Sequence, residues 1–263
     1  MSKAAAELED KSTRSENEEE SGKMSFLEHL DELRKRLIHI AVYIAVGFVA
    51  CWAFHQQIYD FLAIPYTQFL PPGEKLSYIS PTAPFTIYMK VAFLGGIFLT
   101  IPLTLYEVWK FIAPGLYRKE KRYVVPFLFF SVILFVTGAA FCYYIVLPAA
   151  FRFFIKLGES FRPMVTINEY LDFTNMLLLG FGVIFEMPIV AAFLSMFGLV
   201  SAGFLLKKFK YALIVIVALA AIISPTGDAM NLFMWSAPMV LLYIVSIGVA
   251  AIFGWRRKIK GLD

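Results

Sequence analysis

Three carboxylates stand out in the chain by type and position: Glu32, Glu120 and Glu186. Glu186 lies near the middle of the apolar stretch GFGVIFEMPIVAAF, with no base close by in sequence. An acid at the centre of a membrane helix costs about 2.5–3.5 kcal/mol on insertion scales, so it is protonated, paired with another helix or turned to a polar cavity. Pro188 removes a helical N–H and crowds the Ile184 carbonyl, which predicts a kink at the same place. Glu32 belongs to FLEHLDELRKRLIHI, Phe26 to Ile40. There Phe26, Leu27, Leu30, Leu33, Leu37 and Ile40 recur at helical spacing opposite Glu28, Asp31, Glu32, Lys35 and Arg36. Asp31–Lys35 and Glu32–Arg36 also fit as ordinary i,i+4 ion pairs. Glu120 is the single acid among Arg118, Lys119, Lys121 and Arg122 in FIAPGLYRKEKRYVVP. It either balances charge at a helix start or presents a carboxylate to a cationic ligand at the membrane surface. Ser224, Thr226, Asp228 and Asn231 form a further polar group in a tight turn, for which a plain hairpin is the alternative.

Other chemistries lack their residues. The chain has no GxxxxGK[ST] phosphate loop, no HExxH and no GxSxG. His29, His39 and His55 show no metal-ligand spacing, and Cys51 and Cys142 both lie in apolar runs, giving neither a disulfide framework nor a metal site. No enzyme, cofactor or metal is expected, so any work draws on a partner or on the membrane gradient. The net charge of +4 is too small to point to nucleic acid.

The elements that must position these residues are membrane helices. Apolar residues make up 59% of the 263 and charged residues 17%, against about 45–50% and about 25% for a soluble chain. Residues 1–36 alone hold 7 of the 24 bases and 10 of the 20 acids. Residues 1–23, with Glu16, Glu18, Glu19 and Glu20, are expected to be a disordered acidic tail without a cleavable signal peptide. Residues 24–256 are expected to form an all-α, polytopic domain. It opens with an amphipathic cytoplasmic helix at 24–36, followed by six spans at about 37–54, 85–109, 123–151, 173–200, 211–223 and 232–255, the fifth and sixth short. Residues 257–263 form a tail.

Charge placement orients the bundle. With the N-terminus in the cytoplasm, 19 Lys and Arg fall in inner segments and four in outer ones (Lys75, Arg152, Lys156, Arg162). Lys90 lies in the second span and snorkels outward. The bias puts both termini inside and requires the 13-residue fifth span. The outer segments near 55–84 and 152–172 are expected to cap the helices. The first, with Pro65, Pro71, Pro72, Pro81 and Pro84, suits an ordered non-helical cap.

On HLDELRKRL (29–37), IPLTLYEVWKFIAPGLYRKEKR (101–122), FGVIFEMP (181–188) and SPTGD (224–228), residues 24–256 resemble the TatC family of the twin-arginine translocase. The resemblance implies a receptor in a bacterial inner membrane, with cytoplasmic termini, that binds twin-arginine signal peptides of folded cargo. It further implies assembly with single-span partners of the TatA/TatB type into an oligomer surrounded by lipid and driven by the proton gradient. By the same resemblance, Glu32, Glu120, Arg34 and Phe111 fall in the signal-peptide site. Glu186 corresponds to the intramembrane acid that meets a partner helix, with Ser224 and Asn231 as further partner contacts. Pro65 falls in the outer cap and Asp228 in the last outer turn. Gly227 and Leu232 stand where the family often has proline and glutamine.

Two arginines suit two carboxylates, since a planar guanidinium makes paired charge-assisted hydrogen bonds that an ammonium does not. The competing class is a proton- or cation-coupled small-solute transporter using Glu186. The absence of internal repeats and of further intramembrane charges argues against it. A third class is a membrane assembly factor with no passenger.

Overall fold

The computed structural model describes residues 26–70, 76–112, 124–158, 160, 165–223 and 229–259. Among these, the regular secondary structure is helical apart from one isolated bridge, Ser77 to Thr166. The helices are α1 (Phe26–Trp52), α2 (His55–Thr67), α3 (Ala83–Ile112), α4 (Val124–Phe141), α5 (Leu147–Leu157), α6 (Ile167–Ile184), α7 (Met187–Met196), α8 (Ala202–Lys207), α9 (Phe209–Ile223) and α10 (Ala229–Ile259). Five stretches are long and apolar enough to cross a membrane: Leu27–Trp52, Ala83–Ile112, Val125–Leu157, Ile167–Met196 and Trp235–Gly254. With 15 residues, α9 is about 22 Å long, short of a hydrocarbon core about 30 Å thick. The last helix, expected short, runs for 31 residues.

The amphipathic segment and the first span form one unbroken helix, α1, with no proline or glycine pair to stop it before Trp52. It lies antiparallel to α3: His29 stacks on Phe111 at one end and Trp52 meets Phe85 edge-on at the other. Two glycines set the closeness of this pair. A Cβ on Gly96 would stand 2.6 Å from the Phe48 nitrogen, and one on Gly47 would stand 2.7 Å from the Gly96 oxygen. Val42, Val46 and Val49 on the far side of α1 are exposed, as suits a face turned to lipid.

A proline break, a π turn and a cap punctuate the rest. The helix ends at Ile184 and restarts at Met187, with Pro188 in the first turn of α7, so the expected kink is a full break with Glu186 at the joint. A five-residue π turn, Cys142–Val146, joins α4 to α5, and the third apolar stretch therefore continues to Leu157. Much of the expected outer loop at 152–172 is thus helical. At its far end Thr166 accepts a hydrogen bond from the Glu169 N–H, the start of a T-x-x-E capping box.

The proline-rich outer cap is not wholly non-helical as expected. Residues 55–67 form α2, because Ile58, Leu62 and Tyr66 share one face and pack onto the main core. Pro65, buried inside α2, leaves the Phe61 carbonyl without its helical donor. The Tyr143 hydroxyl, from the π turn, donates to that carbonyl at 2.5 Å, and Tyr143 also stacks on Phe61. The Tyr170 hydroxyl donates to the next carbonyl, that of Leu62. The core behind this cap holds Val91, Leu147, Leu171, Phe181 and Trp235.

Candidate functional site at the α1–α3 end

Antiparallel packing brings the first turns of α1 and the last turns of α3 together. Glu32 and Arg36, one helical turn apart, share a face of α1, and that face meets α3 at Glu107. The Arg36 guanidinium donates through Nη2 to Glu32 Oε1 at 2.9 Å and through Nη1 to Glu107 Oε2 at 2.8 Å. The Tyr43 hydroxyl donates to Glu107 Oε1 at 3.3 Å, and His39 Nδ1 lies 3.6 Å from Glu107 Oε2. Glu107 is 2% exposed, so its carboxylate is held almost wholly by protein groups. The other oxygen of Glu32, Oε2, is buried and has no hydrogen-bond partner. Two carboxylates and one guanidinium leave this group with a net formal charge of −1.

Phe111, one turn beyond Glu107 on α3, is half-buried and stacks on His29, about one turn before Glu32 on α1, with ring centroids 4.4 Å apart. Arg34 is exposed; two residues on from Glu32, it points to the opposite side of α1. Glu120 lies outside the described residues. The expected i,i+4 pair Glu32–Arg36 forms, but only as half of a larger network.

Glu107 is the residue that the sequence reading missed. It sits in the apolar run 85–109, and an acid so placed is the same signal that singled out Glu186. Together with Lys90, it corrects the expectation of no further intramembrane charge. Lys90 also has a partner that sequence spacing does not reveal: its Nζ lies 2.6 and 2.9 Å from the two oxygens of Asp172 on α6.

The second site surrounds Glu186. Trp109 of α3 donates through Nε1 to Ser131 Oγ of α4 at 3.4 Å, both side chains being buried. Ser131 in turn lies near Glu186 at the α6–α7 joint. The Glu186 Oε1 atom is buried and lacks a partner, and it remains for another donor. Pro65 lies buried in the outer cap as described. Ser224 and Asp228 fall outside the described residues, and Asn231 is placed only as backbone in the first turn of α10. Among the described residues no group of His, Cys, Asp and Glu is arranged to hold a metal ion.

The family model for TatC, Sec-independent protein translocase protein, matches residues 28–238. The Sec-independent protein translocase protein TatC of Koribacter versatilis (strain Ellin345) is 50% identical over 230 residues, 86% of this chain and 85% of that one. The protein of the same name from Desulforapulum autotrophicum (strain ATCC 43914 / DSM 3382 / VKM B-1955 / HRM2) is 39% identical over 239 residues, 90% of this chain and 88% of that one. A crystal structure of the twin-arginine translocase receptor TatC has a TM-score of 0.76 and 35% identity, covering 86% of this chain and 99% of that chain. With its helical membrane fold and these matches over most of its length, the chain belongs to the TatC family of Sec-independent protein translocase proteins.

Proposed function

We propose that this chain is the receptor and core component of a twin-arginine translocase, and that it recognises the two arginines of a signal peptide at the end of the α1–α3 pair. The observation that carries this is the buried, unpartnered Oε2 of Glu32 in a group of net charge −1, about one helical turn from the His29–Phe111 stack. A buried carboxylate oxygen without a donor is unfavourable, and a guanidinium supplies a charge-assisted donor of matching geometry. Glu120, eight residues beyond Ile112 in sequence, supplies the second carboxylate, and Phe111 and Arg34 flank the peptide.

Six spans, with α9 as the fifth, place both termini in the cytoplasm of a bacterial inner membrane, as the charge bias favours. Single-span partners of the TatA/TatB type pack against the bundle in an oligomer. Glu186 gives its free oxygen to a polar group on a partner helix, and Ser224, Asn231 and Asp228 contribute at the last outer turn. Pro65 keeps the outer cap fixed to the bundle, and the proton gradient drives transport of folded cargo.

Photo-crosslinking tests the receptor role. A twin-arginine signal peptide carrying a photoreactive group beside its arginine pair labels the wild-type protein in membranes, and labelling falls severalfold in both Glu32→Ala and Glu120→Ala. Labelling that ignores both substitutions contradicts the proposal.

A further inference from the structure

We infer that Glu107 is a positioning residue for recognition of the cargo arginines, acting through Arg36 on Glu32; this rests on the receptor reading above. Arg36 lies between two carboxylates and binds each through a different guanidinium nitrogen, Nη1 to Glu107 and Nη2 to Glu32. The Glu107 end is the anchored one. Its side chain is 3% exposed against 13% for Glu32, and it takes further hydrogen bonding from Tyr43 and lies against His39. Tyr43, His39, Glu32 and Arg36 all belong to α1, whereas Glu107 belongs to α3. Glu107 therefore ties the guanidinium of α1 to the neighbouring helix and fixes where it points.

The consequence falls on Glu32. Arg36 occupies only Oε1, so the carboxylate is held by one oxygen and presents the other, Oε2, without a donor. Without Glu107, Arg36 is free to swing and take both oxygens of Glu32 in the bidentate geometry that guanidinium and carboxylate prefer. Glu32 is then satisfied within its own helix, and no oxygen is left for a cargo arginine. Glu107 thus acts without touching cargo: it keeps the chain's own arginine from filling the site built for another.

A double-mutant cycle on the full chain in lipid nanodiscs tests this, reading the affinity of a fluorescent twin-arginine peptide and of its twin-lysine counterpart. Glu107→Gln weakens the arginine peptide by about tenfold, the size of a lost charge-assisted interaction. It weakens the lysine peptide much less, so the preference for arginine narrows. Arg36→Gln alone frees Glu32, and adding Glu107→Gln to it changes binding much less than Glu107→Gln does in the wild type. Tyr43→Phe removes one support of Glu107 and gives a smaller shift in the same direction, which keeps the test open if Glu107→Gln unfolds.

Glu32→Ala separates the two levels of the account. Loss of binding in Glu32→Ala with wild-type affinity in both Glu107→Gln and Tyr43→Phe overturns the inference and leaves the receptor site standing. Additive losses for Arg36→Gln and Glu107→Gln also overturn it, since they mean Glu107 acts independently of Arg36. Unchanged binding in Glu32→Ala overturns both.

Discussion

Pro65 shows how one residue ties distant elements together. Lacking an N–H, it leaves the Phe61 carbonyl unbonded within α2, and the Tyr143 hydroxyl fills that vacancy from the π turn. An alanine at Pro65 would return an N–H to compete for the carbonyl, so the proline protects an inter-element bond. Tyr143→Phe keeps the ring stacked on Phe61 but strips the donor. It is expected to lower stability by about 1 kcal/mol, because the part-buried carbonyl then loses its hydroxyl donor. Thermal unfolding in mild detergent measures this, and an unchanged midpoint contradicts it. Little of this was legible in the sequence: Pro65 was visible as a cap residue, but its acceptor partner lies 82 positions from Tyr143 and no spacing encodes it. Glu107 was legible by type and depth alone, while its bond to Arg36, 71 positions away, needed the fold.

At the scale of elements, the α1–α3 pair is the scaffold of the proposed recognition site, and Gly47 and Gly96 let its backbones touch. A side chain at Gly96 meets the backbone of Phe48, which has no flexible end to yield. Gly96→Val is therefore expected to cost about 1–3 kcal/mol through overpacking, and to weaken signal-peptide binding because Arg36 and Glu107 separate with the helices. Gly180→Ala is the control: nothing lies within 4 Å of its added Cβ, and stability should stay within about 0.5 kcal/mol. Equal effects of the two substitutions would contradict this packing account. The apolar runs and the break at Pro188 were legible because both are written in local sequence. Helix α2 was obscured by prolines that mark loops in most settings; one of them, Pro65, sits inside the helix.

For the whole molecule, the distribution of charge bears on how α9 is used. Among the described residues five apolar stretches are long enough to span, and in the proposed topology a sixth crossing by the 15-residue α9 keeps the Lys207, Lys208 and Lys210 cluster and the basic C-terminus on one side. A short crossing is accommodated by local thinning of the bilayer or by cover from longer neighbours. Single cysteines at Ser12, Gly73 and Gly261, with Cys51 and Cys142 replaced by alanine, test this with a membrane-impermeant maleimide on intact spheroplasts. Position 73 is expected to label, and positions 12 and 261 only after lysis. Labelling of 261 from outside would contradict the six-span arrangement.

In the proposed function, a carboxylate pair reads arginine rather than mere positive charge. The most direct measurement of this is the affinity of the purified chain, in nanodiscs without any partner, for a twin-arginine peptide and for the same peptide with both arginines changed to lysine. The account predicts at least about tenfold tighter binding of the arginine peptide, since only the planar guanidinium completes a paired bond with a carboxylate. It also predicts that Glu32→Ala abolishes most of that difference. Equal affinity for the two peptides, or a preference that survives Glu32→Ala, would contradict it.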